Sequence, residues 1–600
     1  MLSSLNNPTA LLGKAALLSL LSTTTTSAFN PQLPTVPGTT LNQQAPLDLN
    51  PPFDIREATV SSIHNALFTG LTTCHALISS YLARIEAFNP SLHAILSLNP
   101  HALDLASAID LQLASGNSSA NKPLLCIPVL LKDNFDTSDL PTTAGSLALA
   151  NNTPSKDAPT VKALKQAGAI ILGKTNLHEF ALEGISVSSL GGQTINPYDS
   201  TRTPGGSSGG TGAAIAANLA VLGTGTDTVN SLRSPASANC LWSWRPTRGL
   251  VTREGVVPVG WTQDAVGGMA RGVGDLGVLM TVMSMAGSDE GNGDNTTVLV
   301  PPEVKGRDYS QALYGGLGKL EGLRLGVLDG FFNHTAGEET DPVNEVMEKV
   351  LSRLEAAGVE LVNITEPVYD AVTIAAKLDV QTCEFREGLD AYLEKTTYAG
   401  HGNGTTGPRS FSDIYTLGKK QFLVLPSQYD YIRNAFNRST SSPEYFVRQH
   451  GIQQLKTTLA QTFSTNNNLD AIIYPEQKNL VVKIGSPSQS GRNGILAALT
   501  GSPVITVPVG FSEVMETTAP LGVPIGMEIL GRPWTEDLLL GIAKHVGEAL
   551  GPPVRRMPVG GGGLDKVVEV KGGGGGYEKE VPVVKPDGGN IPEVYPLGVY

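Results

Sequence analysis

The sequence predicts an α/β protein with one large domain whose central sheet is covered by helices. Three observations carry this. Short apolar runs at Leu124–Leu131, Ala169–Leu172, Val504–Val509 and Ile525–Leu530 have the length of strands buried on both faces. Segments of helical period lie between and around them. No linker, internal repeat or abrupt change of composition interrupts the chain from about 53 to 550, so its 600 residues do not divide as length alone would allow.

Val60, Ile63 and Leu67 recur at helical spacing, as do Cys74, Leu77, Tyr81, Leu82 and Ile85, and Asn89-Pro90 is expected to stop this second helix. Lys162–Gln166 reads as helical, with Gly168 breaking it before the run at Ala169. Ala213–Leu222 is Ala/Leu-rich and reads as a helix, and another is expected over Thr535–Leu550.

The ends read differently. Lys14, the apolar run Ala15–Leu21 and the small residues Thr26-Ser27-Ala28 give residues 1–28 the form of a signal peptide, followed by an N-terminal extension over 29–54. The expected localisation is therefore secreted. Seven N-x-S/T sequons, at Asn117, Asn151, Asn295, Asn333, Asn363, Asn403 and Asn437, suit passage through the secretory route. Glycine runs at 560–563 and 572–576 make 551–600 a flexible Gly/Pro-rich tail, because such runs lose too much backbone entropy on ordering.

Net charge is −13, with 16% charged and 40% hydrophobic residues, which excludes a polyanion-binding surface and an acidic disordered chain. Cys74, Cys126, Cys240 and Cys383 stand far apart with no C-x-x-C, so neither a disulfide scaffold nor a structural zinc site is expected. The nine histidines form no ligand cluster. No apolar stretch reaches the ~18–20 residues of a membrane span.

Two motifs mislead. Gly168–Thr175 matches G-x-x-x-x-G-K-[ST], but the intervening Ala-Ile-Ile-Leu prefers to be a strand and leaves no loop to cradle phosphate. Gly205–Gly210 satisfies G-x-S-x-G twice, yet Asn196–Pro204 before it is turn chemistry, where a nucleophile elbow needs a strand. A third arrangement uses more of the chain. The apolar run ending in Lys132 would deliver an amine into a site lined by the Gly/Ser-rich segment around Ser207 and by Asp227–Pro235, with Ser231 24 residues after Ser207. Desolvation disfavours an ammonium, so such an amine could serve as a base.

These segments, together with Leu140–Ser146, Gly173–Leu177, Arg245–Gly249, Gly255–Pro258, Asp264, Met269–Arg271, Ser502–Pro508 and Pro524–Pro533, resemble the amidase signature family of serine hydrolases, secreted fungal-type members included. The resemblance runs from about 55 to 550. It implies a mixed central sheet, no metal or organic cofactor, and a small-molecule amide as substrate, with no nucleic-acid partner and a homodimer as a possible assembly.

It also implies Ser231 as nucleophile, Ser207 as bridging serine after a cis peptide bond, and Lys132 as general base. The backbone N–H groups of Thr228, Val229, Asn230 and Ser231 are implied as the oxyanion hole, with Ser208, Asp227 and Arg233 as supports. The expected reaction cleaves a non-peptide carboxylic amide through an acyl-enzyme. One departure is Val229-Asn230 where the family has Gly-Gly, since a β-branched residue resists left-handed backbone angles. Trp242 and Trp244 also stand where small or aliphatic residues are usual. A catalytically impaired secreted relative with a binding role is the alternative, and an amidotransferase component in tRNA charging shares the fold. Substrate specificity is expected from 290–500, including Glu384–Tyr392.

Overall fold

The computed structural model describes residues 53–558, apart from 117–121, 287–292, 316, 396–406, 418–420, 466–467, 516 and 552–553. The signal peptide and nearly all of the N-terminal extension lie outside the described residues, as do Asn117, Asn403 and the glycine runs of the tail.

The described strands are β1 (Ile95–Leu98), β2 (Pro128–Lys132), β3 (Ile170–Thr175), β4 (Val187–Ser188), β5 (Gly192–Gln193), β6 (Leu222–Asp227), β7 (Trp242–Arg245), β8 (Ala265–Ala270), β9 (Arg324–Leu328), β10 (Glu360–Ile364), β11 (Ala471–Pro475), β12 (Val504–Phe511) and β13 (Pro524–Leu530). β4 and β5 pair with each other. The other eleven form one sheet in the order β1-β3-β2-β6-β8-β7-β12-β13-β11-β9-β10. β2 runs parallel to both β3 and β6, whereas β6–β8–β7–β12–β13 are joined antiparallel, so the sheet is mixed.

Helices cover the sheet. Gly209–Ala216 packs on β2 and β6, Val273–Ser284 on β7 and β8, and Asp341–Ala356 and Glu536–Ala549 on β12. Gly209–Ala216 is buried along its whole length. A Cβ on Gly210 would stand 2.3 Å from the Asn176 carbonyl oxygen, so only glycine lets this helix approach the β3 exit. Among the described residues no helix is long and apolar enough to cross a membrane.

The elements depart from the sequence reading in instructive places. The helix from Cys74 runs through Asn89-Pro90 to Leu92 instead of stopping there. The Asn89 side chain closes its exit, accepting from the Ala94 and Ile95 amides at 3.0 and 2.8 Å and donating to the Ile95 carbonyl. The Ala/Leu-rich run is divided: the helix ends at Ala216, and Leu222 opens β6, the strand that leads to the site. Gly173, Lys174 and Thr175 belong to β3. A Cβ at Gly173 would collide with the Ser97 carbonyl of β1, and Lys174 is buried in an ion pair with Asp133 at 3.1 Å. The phosphate-loop motif is therefore strand and structural ion pair.

Cys74 and Cys126 form a disulfide, while Cys240 and Cys383 are buried free thiols. Val554–Pro558, inside the stretch expected to be a tail, is held on the body. The Arg555 guanidinium donates to both Glu57 oxygens at 2.6 and 2.7 Å and to the Ala216 carbonyl at 2.9 Å.

Candidate active site

Two neighbouring parallel strands end at the same place. The last residue of β2 is Lys132 and the last of β6 is Asp227, and carboxyl ends of parallel strands are where open α/β sheets build their sites. Ser207 arrives on the loop before the helix Gly209–Ala216, after a cis Gly206–Ser207 peptide bond.

Lys132 is fully buried, with Nζ 2.7 Å from Ser207 Oγ and 2.7 Å from Thr226 Oγ1. Thr226 also accepts from the Asn134 side-chain amide at 3.1 Å. Among the described residues no carboxylate touches the amine. Burial lowers Lys132 to about 7, and the more distant charges of Asp227 and Asp264 pull it partly back. An amine with that affinity is substantially neutral near pH 7.

Ser231 follows β6 on a turn and is 7% exposed. Its carbonyl accepts the Ser208 amide at 3.2 Å, which ties the two serine loops together through the backbone. The structure thus brings Lys132 and Ser207 into contact and sets Ser231 beside Ser208. Among the described residues, however, the Ser231 hydroxyl makes no hydrogen bond, to Ser207 or elsewhere. Catalytic hydrogen bonds are often long in unliganded enzymes and tighten with substrate.

The amides of Thr228, Val229, Asn230 and Ser231 donate to no acceptor among the described residues, leaving four consecutive N–H groups next to Ser231. Neither Val229 nor Asn230 has a positive φ. The loop therefore does not use the conformational freedom that glycine would offer, and Val-Asn is compatible with it.

A buried charge network fixes the loop. Asp227 accepts from Arg233 Nε at 3.1 Å and Nη2 at 3.0 Å, from the Leu232 amide at 3.0 Å and from Arg245 at 2.6 Å. Burial alone would raise the Asp227 carboxyl, but Arg233 and Arg245 hold it well below the usual range. Arg233 reaches onward to Glu528 at 2.7 Å and to the carbonyls of Val229 and Gly494. Thr228 donates to Asp264 at 2.7 Å, and Asn230 to Glu476 at 3.1 Å. Ser208 Oγ donates to the Thr226 carbonyl at 3.3 Å. Asp227, Arg233 and Ser208 thus hold the loops rather than face them.

Sequence reasoning missed Thr226, Arg245, Glu528 and Gly494 as parts of this site. For Thr226 a signal existed: it precedes Asp227 by one residue and shares a strand face with Thr224. Arg245 lies 18 residues after Asp227, whereas Glu528 and Gly494 come from distant segments that only the fold brings near. Trp244 is core, packed beside Tyr309 with ring centroids 6.1 Å apart.

A buried amine with no carboxylate against it, a hydroxyl in contact with it and a second serine beside backbone donors are the parts that amide chemistry at a serine could use. Comparison with known proteins agrees with the class. The profile of the Amidase family matches residues 76–540, and the chain belongs to this family. A glutamyl-tRNA(Gln) amidotransferase subunit from Geobacter metallireducens is 32% identical over 501 residues, covering 82% of this chain and 96% of that protein. The native peptide amidase of Stenotrophomonas maltophilia superimposes with a TM-score of 0.72 at 30% identity, covering 85% of this chain and all of that one. An amidase family protein of Bacillus anthracis gives a TM-score of 0.69 at 25% identity, with 84% and 93% covered.

Proposed function

We propose that the chain hydrolyses a carboxylic amide to a carboxylate and ammonia or an amine, through an acyl-Ser231 intermediate. The observation that carries this is the buried Lys132 amine, 2.7 Å from Ser207 and with no carboxylate in contact among the described residues. Neutral Lys132 takes the Ser207 proton while Ser207 takes that of Ser231, whose oxygen attacks the carbonyl carbon. The oxyanion that forms is met by the N–H groups of residues 228–231, fixed donors that need no reorganisation as charge develops. The proton returns from Lys132 through Ser207 to the leaving nitrogen as the C–N bond breaks. Water then repeats the sequence on the acyl ester and releases the acid.

The test is labelling of Ser231 by a fluorophosphonate, paired with Ser231→Ala. Label on Ser231 and a loss of about three orders of magnitude or more in kcat are expected; full amidase activity in the variant would overturn the assignment. Against a binding-only relative stands the Val229-Asn230 loop, in which neither residue has a positive φ. The amidotransferase relatives share the fold, but a net charge of −13 disfavours an RNA surface here.

The protein is further proposed to be a secreted glycoprotein. The Cys74–Cys126 disulfide supports this, since structural disulfides are rare in reducing compartments. So does the exposure of the sequon residues Asn151, Asn295, Asn363 and Asn437.

A further inference from the structure

The turn that carries the four backbone donors leans on a neighbouring segment, residues 259–264. Thr226 and Thr228 border a cavity of about 160 Å³ whose other walls include Val257, Pro258 and Trp261, so on that side the turn is held by hydrogen bonds rather than by packing. The Thr228 hydroxyl donates to Asp264 Oδ1 at 2.7 Å, and the Thr228 carbonyl accepts from Gln263 Nε2 at 3.3 Å. The other Asp264 oxygen accepts the Val259 and Gly260 amides at 2.9 and 3.0 Å. The Asp264 amide itself donates to the Gly260 carbonyl at 2.8 Å. Residues 259–264 and Thr228 are thus tied into one unit.

That unit is fixed by the helix Gln381–Lys395. Glu384, Gly388 and Tyr392 follow at four-residue spacing and share one face of it. Glu384 is fully buried, and its Oε2 accepts the Thr262 amide at 2.9 Å. A Cβ on Gly260 would stand 3.0 Å from the same oxygen, and one on Gly388 would meet Pro258 at 3.5 Å. Tyr392 donates at 2.6 Å to Asp136, on the stretch that leaves Lys132. The Val380 amide, just before the helix, donates to Gln263 Oε1 at 3.1 Å. The remaining Glu384 oxygen is met by two hydroxyls whose direction can be derived. Gln449 Nε2 donates to Thr262 Oγ1 at 2.7 Å and to the Tyr445 hydroxyl at 3.0 Å. Both hydroxyls are then left to donate to Glu384 Oε1, that of Tyr445 at 2.8 Å. A buried polar group matched in this way is rigid.

We infer that Glu384 is a positioning residue for the oxyanion hole: through Thr262 and Asp264 it fixes the Thr228 amide where charge develops in the reaction. Fixed donors help only if they are aimed before the reaction starts, so what holds the turn matters to the rate. Glu384 touches no reacting group, and its effect passes along Glu384, Thr262, Asp264 and Thr228. This rests on the hydrolysis proposed above and adds to it a side chain from a distant helix. Glu384→Gln keeps the shape but sets an N–H against the Thr262 amide, or against hydroxyls that Gln449 obliges to donate.

The experiment measures kcat and KM for benzamide, and the rate of fluorophosphonate labelling at Ser231, in wild type, Glu384→Gln, Thr228→Val and the double variant. Glu384→Gln is expected to lower kcat and the labelling rate about tenfold while KM moves by less than about threefold, because an aimed donor acts on the transition state and not on the bound amide. Thr228→Val cuts the same path at its last link and should cost a similar factor. In that background Glu384→Gln should cost no more than about twofold further, since a path already cut cannot be cut again. A full tenfold loss in that background, a wild-type kcat in Glu384→Gln, or a loss confined to KM overturns the inference and leaves acyl-Ser231 chemistry standing. Should Glu384→Gln fail to fold, Tyr445→Phe removes one donor to Glu384 at a half-buried position and gives the same cycle, with about a threefold loss expected. If benzamide is not cleaved, the labelling rates alone complete the cycle. If Ser231 takes no label even in the wild type, the inference falls together with the hydrolase reading.

Discussion

At position 132 the fold buries an amine and sets hydroxyls, not a carboxylate, against it; both reactivity and stability feel this. A base lowered to about 7 must lose its proton to act. Below that pH, kcat/KM on an amide is expected to fall tenfold per unit, and above it to level off. A profile that is highest in acid would contradict a neutral lysine. The stability effect has the opposite beneficiary. The unfolded chain holds the proton up to about 10.5 and the folded chain only to about 7, so the folded state is penalised fully below 7, and the penalty fades as pH rises to 10.5. Its size is roughly 5 kcal/mol. Lys132→Met should therefore be inactive yet more stable than wild type at pH 6, with the advantage shrinking steadily towards pH 10. Thermal midpoints of both proteins across that range check it; an advantage that does not change with pH would show that the amine is charged in the folded state.

Among the elements, the loop after β6 shows what a sequence can and cannot tell. Lys132, Ser207 and Ser231 were legible because each sits in a motif of contiguous residues, and the end of a buried apolar run is a local signal. The consequence of Val229-Asn230 was not legible, because backbone angles are set by what holds the loop: Arg233 on the Val229 carbonyl, Glu476 on Asn230, Asp264 on Thr228. Those anchors come from segments up to 246 residues away. Val229→Gly tests the point. Since Val229 has no positive φ and packs against the core, glycine gains nothing and frees the unfolded chain. Stability should drop by about 1 kcal/mol, seen in urea midpoints, with kcat/KM no higher than wild type. A substantial gain in activity would mean that valine obstructs the oxyanion hole after all. The exit of the helix Cys74–Leu92 teaches the same lesson on a smaller scale, for Pro90 signals a stop, yet the helix runs to Leu92 and the Asn89 side chain holds the chain just beyond it.

For the whole molecule, the single sheet was legible from apolar runs and their spacing, whereas its eleven-strand order was not, because β13 pairs on both sides with strands that no local pattern selects. Cysteine pairing is illegible for the same reason: four scattered cysteines allow any pairing or none, and only the fold, which brings the start of the helix Cys74–Leu92 to the residue two before β2, pairs Cys74 with Cys126. That bond closes 52 residues of chain and so limits the unfolded ensemble by about 4 kcal/mol on the chain-entropy account. It ties the covering helix to the strand that carries Lys132. Denatured protein from an oxidising expression host should take up two maleimide groups, at Cys240 and Cys383, and four after reduction. Cys74→Ala with Cys126→Ala should lower the thermal midpoint by a few degrees, the effect per kcal/mol being small in so large a domain. Four thiols labelled without reductant, in protein secreted by that host, would refute the covalent tie and with it the structural support for the secretory route.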